Sequence, residues 1–196
     1  MKRSVPVGAL VLALLVAQSA TITLGAQTTT FNLAGGLAIP TGDFGDFHES
    51  GYTLIAGIGL TQRASPIAFR AEGIYNEFNR KSSVLGNGNS RAGGITGNAT
   101  YDFRLASGAF TPYVIGGIGF FSTRFGGGDS DTNVGWNVGG GLRFPLSGFS
   151  AYFEARYHYI WGPKASSLVP GGILPPGTED RSANGQYFPV TFGIRF

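Results

Sequence analysis

The sequence has 196 residues, enough for one domain of ordinary size, and 33 of them are glycine. Aromatic residues make up 13% and hydrophobic residues 42%, which excludes a disordered chain, while charged residues reach only 13%, about half the share of a soluble domain. The formal charge of +3 rests largely on Lys2 and Arg3 at the extreme N-terminus, and there is no basic run and no cysteine. A nucleic-acid partner, disulfides, thiolate metal sites and a cysteine nucleophile are therefore excluded.

Behind Lys2 and Arg3 lies an unbroken apolar run from Val5 to Ala17, followed by small residues with cleavage positions after Ala20 and Ala26. This is the layout of a secretory signal peptide. The run is shorter than the roughly 18 apolar residues that mark a membrane-crossing helix. Gly25 and Ala26 favour the second position, so residues 1–26 are expected to be a removable leader and residues 27–196 a single exported barrel domain.

From Phe31 onward apolar and polar residues alternate with a period of two, punctuated by glycine, proline, asparagine and aspartate. Two runs near 30–40 and 51–62 open the series. Ile67, Phe69, Ala71 and Tyr75 then alternate with Ala68, Arg70, Glu72 and Asn76. Ile95, Ala99, Tyr101, Phe103 and Leu105 alternate with Thr96, Asn98, Thr100, Asp102 and Arg104. In the run at 110–124, Val114, Ile115, Ile118, Phe120 and Phe121 fill both faces, and a β-bulge is expected there. Val134, Trp136, Val138, Leu142 and Phe144 alternate with Asn137, Gly139, Gly141 and Arg143. Phe149, Phe153, Tyr157, Tyr159 and Trp161 alternate with Tyr152, Glu154, Arg156, His158 and Ile160. The last run sets Phe188, Val190, Phe192, Ile194 and Phe196 against Tyr187, Pro189, Thr191, Gly193 and Arg195.

Alternation alone fits two classes. A soluble sandwich or lipocalin-like barrel turns its apolar face inward, and an outer-membrane barrel turns it to lipid. Connection lengths separate them. Residues 41–50, 79–90, 125–131 and 163–184 are long loops, whereas 63–65, 105–109 and 145–148 are brief turns. Long loops at one end and short turns at the other are the asymmetry of outer-membrane barrels. Aromatics also gather towards strand ends, with Tyr157, Tyr159 and Trp161 near the long-loop rim and Phe103, Phe144 and Phe149 near the other. The expected fold is all-β, an eight-stranded antiparallel up-and-down transmembrane β-barrel.

Three stretches carry a family likeness: Gly35 to Phe44 (GGLAIPTGDF), Pro112 to Gly119 (PYVIGGIG), and the alternating ending on Phe196. With them the sequence resembles the small eight-stranded outer-membrane barrels, the group that includes OmpX, OmpW and the membrane domain of OmpA. The resemblance implies residence in the outer membrane of a Gram-negative cell envelope, among its lipid and lipopolysaccharide. It also implies that Phe188, Val190, Phe192, Ile194 and Phe196 form the signal read by the barrel-assembly machinery. No cofactor is implied. No peptidoglycan-binding domain follows in the sequence, so a cell-wall tether is not implied either.

Eight strands enclose an interior that side chains just fill. Arg70, Glu72, Asp102, Arg104, Arg143, Glu154 and Arg156 form the expected lumen charge cluster, joined by Arg195 and by Tyr152, Asn76, Asn98 and Asn137. Arg70, Glu72, Glu154 and Arg156 are expected at mid-depth, and Asp102, Arg104, Arg143 and Arg195 nearer the short turns. Charges held away from water need partners. The expected arrangement is a salt-bridged plug in a non-enzymatic barrel, structural or surface-interacting through its loops, with a narrow gated channel for small solutes or ions as the alternative. A lipid-modifying enzyme is a further alternative, but a nucleophile needs a base within hydrogen-bond reach. The sequence sets no hydroxyl near His158, and His48 has only Ser50 close by in a loop. In the loops, Asp43, Asp46 and Glu49 are expected to form an ordinary turn rather than a cation site. Phe44, Phe47, Leu168, Ile173 and Leu174 are expected as contacts to a surface partner.

Overall fold

The computed structural model describes residues 27–62, 65–79, 90–105, 108–125, 130–162 and 184–196. The expected leader, and the loop residues Leu168, Ile173 and Leu174, lie outside them. The strands are β1 (Gln27–Pro40), β2 (Gly51–Gln62), β3 (Ile67–Phe78), β4 (Ser90–Asp102), β5 (Thr111–Phe125), β6 (Ser130–Pro145), β7 (Ser150–Ile160) and β8 (Gly185–Arg195), with a short helix α1 (Gly42–Phe47) between the first two. Each strand pairs with the next to make one closed barrel. Antiparallel pairing of β1 with β8, from Asn32↔Arg195 to Pro40↔Tyr187, removes the last free edge.

The polarity of the barrel is inverted relative to a soluble protein. On the outer face Ile118 is 68% exposed, Phe120 65%, Leu37 62% and Phe192 61%, while Arg156, Glu72 and Glu154 inside are each 1% exposed. Such an apolar band suits a surround of hydrocarbon and would be insoluble in water. Aromatic rings collect at both rims, Trp136 stacking on Tyr159 at 5.9 Å and Tyr159 meeting Trp161 edge-on at 5.8 Å towards the long loops, and Phe110 approaching Phe144 at 6.3 Å towards the short turns. At the turn between β6 and β7 the chain needs the left-handed region, which Gly148 supplies at φ +87°.

Two expectations about elements are corrected. There is no bulge in β5: its register against both neighbours runs unbroken, Ser90↔Phe125 to Asp102↔Tyr113 on one side and Thr111↔Arg143 to Arg124↔Ser130 on the other. Val114, Ile118 and Phe120 face out while Tyr113, Ile115 and Phe121 are buried inside, so both faces are apolar with no slip between them. Residues 42–47, expected as a turn, wind into α1, which packs against β8 at the barrel mouth.

Candidate functional site

The lumen is layered. At its middle, β3 and β7 present Arg70 and Glu72 from one wall and Glu154 and Arg156 from the other. These strands stand four apart in a ring of eight, so they face each other across the interior. Glu154 accepts from Arg70 Nη2 at 2.6 Å and from Arg156 Nε at 2.6 Å. Glu72 accepts from both Nη1 and Nη2 of Arg156, at 2.7 and 3.0 Å. Arg70 Nε closes the cycle 3.2 Å from Glu72 Oε1, an ion contact without hydrogen-bond alignment. Each acid thus meets both arginines in a four-membered ring of alternating charge. Tyr113 donates to Glu154 at 2.7 Å and Asn98 donates to Glu72 at 2.8 Å, and Asn137 supports Asn98 at 2.8 Å. Further polar partners on the carboxylates are what a buried ion cluster requires to offset desolvation.

Above this ring, towards the long loops, the interior is apolar and aromatic. Ile55, Ile74, Phe78, Phe121, Ile160 and Tyr187 form one buried cluster, which α1 covers with Phe44. Phe44 meets Phe78 edge-on at 5.1 Å and stacks on His48 at 4.2 Å. It was expected to reach an external partner, but it turns inward and closes the mouth. Phe47 ends α1. His158 is stacked on Tyr187 at 4.7 Å, and among the described residues both its ring nitrogens lack partners. His48 has a hydroxyl partner, though not Ser50: its Nε2 lies 2.7 Å from Ser90 Oγ, while Nδ1 lies 3.1 Å from the Phe44 carbonyl. Because a carbonyl only accepts, Nδ1–H donates to Phe44 and, in the neutral ring, the Ser90 hydroxyl donates to Nε2.

Below the ring, Arg143 grips Asp102 with two bonds of 2.7 and 3.1 Å and lies 5.1 Å over the Tyr113 ring. Arg195 donates to the Thr61 hydroxyl at 2.6 Å. Arg104 corrects another expectation. β4 ends at Asp102, so Arg104 sits exposed in the following turn, donating to the Ser65 carbonyl at 3.1 Å. Tyr113 was absent from the expected lumen set. The outward series Val114, Gly116, Ile118, Phe120 would have placed it, since the odd-numbered residues must then face in. Phe188, Phe192, Ile194 and Phe196 all face outward and exposed. Among the described residues no group of three or more candidate ligands could hold a metal ion.

A closed eight-stranded barrel with an apolar exterior and charges sequestered within is the architecture of a small outer-membrane barrel. The chain belongs to the outer membrane protein beta-barrel domain family, whose model matches residues 7–196. Its location is accordingly the outer membrane, in contact with membrane lipid. Among solved structures it is similar to neisserial surface protein A, with a TM-score of 0.60 at 16% identity over 86% of this chain and 97% of that one. The N-terminal β-barrel domain of Pseudomonas aeruginosa OprF matches at a TM-score of 0.46 and 13% identity over 86% and 97% of the two chains. Ail of Yersinia pestis matches at 0.42 and 16% over 87% and 97%. No curated protein sequence matches the chain.

Proposed function

We propose that the protein is a non-enzymatic outer-membrane barrel, structural or surface-interacting through its extracellular loops, with its lumen plugged by Arg70, Glu72, Glu154 and Arg156. One observation carries this reading: the charge ring joins opposite walls and its four members are at most 6% exposed. The leader at 1–26 directs export, and the outward residues from Phe188 to Phe196 serve as the assembly signal. Lipopolysaccharide is the outer-leaflet neighbour in this reading. The Ser90–His48 pair acts as a latch that holds α1 over the mouth, since the buried His48 at the end of α1 bonds Ser90 of β4 as well as the Phe44 carbonyl. The test is ion flux from liposomes carrying the refolded protein. Flux no faster than from protein-free liposomes is expected, and sustained ion release would overturn the plug.

A second reading, a narrow gated channel, is favoured by a separate observation. Side-chain atoms of Asn32, Thr53, Asn76, Asn137 and His158 are buried without hydrogen-bond partners among the described residues. Buried polar atoms of this kind are ordinarily satisfied by internal water. A hydrated lumen interrupted by one charged ring is a gate if the ring opens. The same flux measurement decides between the two.

A further inference from the structure

Among the described residues the ladders of the barrel are continuous except at one place. β7 and β8 pair from Ser150↔Arg195 to Ala155↔Val190 and again from His158↔Tyr187 to Ile160↔Gly185, but Arg156 and Tyr157 have no partners on β8. Both segments keep one register, so the strands part locally and no residue is inserted. The residues due opposite are Phe188 and Pro189, and proline has no N–H to give to a ladder. Backbone directions fix what is lost. Trp161 N–H donates to Val134 of β6, so Trp161 and every second residue before it face β6, and Glu154, Arg156 and His158 face β8. Phe196 exchanges both bonds with Phe31 of β1, so the even-numbered residues of β8 face β1 and Pro189 faces β7. Arg156 and Pro189 therefore stand where two residues ordinarily exchange two bonds, and Pro189 cannot return one.

The break singles out one member of the charge ring. Arg70 pairs with Gly59 and Asn98, Glu72 with Gly57 and Thr96, and Glu154 with Gly141 and Thr191, each held from both sides. Arg156 pairs with Gly139 of β6 alone. Its guanidinium is nevertheless the hub of the ring, bonded to both Glu72 and Glu154. A side chain so enclosed cannot turn away from the acids while its backbone stays in place, because packed interiors leave no room. We propose that Pro189 makes the β7–β8 seam a hinge in the barrel wall, through which the Arg156 backbone moves and carries its guanidinium out of the ring. Pro189 stays paired with Ala38 of β1, so the wall holds on that side. The hinge presumes that the ring closes the lumen, as proposed above, but its motion is read at the backbone and not as ion flux. A leaking barrel and a rigid seam are therefore separate results.

The experiment is hydrogen exchange followed by NMR on the isotope-labelled, refolded barrel in micelles. It reads the backbone amides of Glu154, Arg156 and His158, which face the same strand, and the Arg156 Nε–H, which Glu154 holds at 2.6 Å. In the native protein the Arg156 amide should exchange roughly tenfold faster than the other two, the size expected for one missing backbone hydrogen bond. Pro189→Ala and Pro189→Val both restore the N–H, and each is checked for folding by heat-modifiable gel migration. In either variant the Arg156 amide should slow towards its neighbours, and the Arg156 Nε–H should slow with it. Equal protection of the three amides in the native protein overturns the hinge, whether or not the variants fold. A variant in which the amide slows and the Nε–H does not also overturns it, since the seam would then move without the ring.

Discussion

At Glu72 a single carboxylate, 1% exposed, meets Arg156 twice, Arg70 at its edge and the Asn98 amide. Replacing it with alanine leaves two buried guanidinium groups to share one acid, and breaking a buried pair in this way costs about 3–5 kcal/mol. Glu72→Ala should lose that amount in urea unfolding followed by gel migration, and Arg156→Ala should lose a similar amount. The double variant should lose less than the sum, with a coupling of about 0.5–3 kcal/mol, because each single change strands the partner. Strict additivity would show that the ring is not a unit. Single residues also mark where sequence reading stops. Arg104 continues the alternation of β4 on paper, but the strand ends two residues earlier, and a period of two carries no information about where pairing stops. Phe44 looked free because nothing in a glycine–aspartate stretch announces a helix that folds back over the mouth.

At the scale of the element, legibility followed how cleanly the two faces differ. In β7 the inward residues from Tyr152 to His158 include both charged ring members, and the outward Phe153, Ala155 and Tyr157 carry no charge, so the phase and the ring members Glu154 and Arg156 could be read directly. In β5 the inner face carries Ile115 at the level of the ring and Phe121 in the apolar layer above it, so both faces look alike and the strand imitates a bulge. An inner apolar layer cannot be told from the lipid face by composition. Glycine on the inner face has a separate cause. A Cβ on Gly141 would lie 2.6 Å from the Tyr113 hydroxyl and 2.5 Å from the Phe153 carbonyl oxygen, so β6 must leave room there for the tyrosine that holds Glu154. Gly141→Ala should therefore destabilise the barrel by about 1–3 kcal/mol, as overpacking does. Gly97→Ala, where a Cβ meets nothing within 4 Å, should stay within about 0.5 kcal/mol in the same unfolding measurement. Equal effects at both positions would remove the packing argument.

For the molecule as a whole, the inversion of polarity was legible from loop asymmetry and rim aromatics, and the closed order of strands follows from it. The layering of the lumen was not. Which inward residues meet depends on register and on strands far apart in sequence. Arg70 and Glu154 are 84 positions apart, and no local pattern links them. That long-range pairing is what turns a polar inner face into a plug. An apolar, α1-capped layer lies above the charge ring, and Arg143 and Arg195 lie below it, so the ring is the salt-bridged polar layer that spans the barrel's middle. Single-channel recording in planar bilayers tests this most directly, with the refolded native protein, Glu72→Ala and Arg156→Ala compared under one voltage protocol. The native barrel should be electrically silent, and either variant that folds should show brief openings as the ring loses a member. Discrete, well-resolved openings in the native protein, unchanged in the variants, would contradict the account.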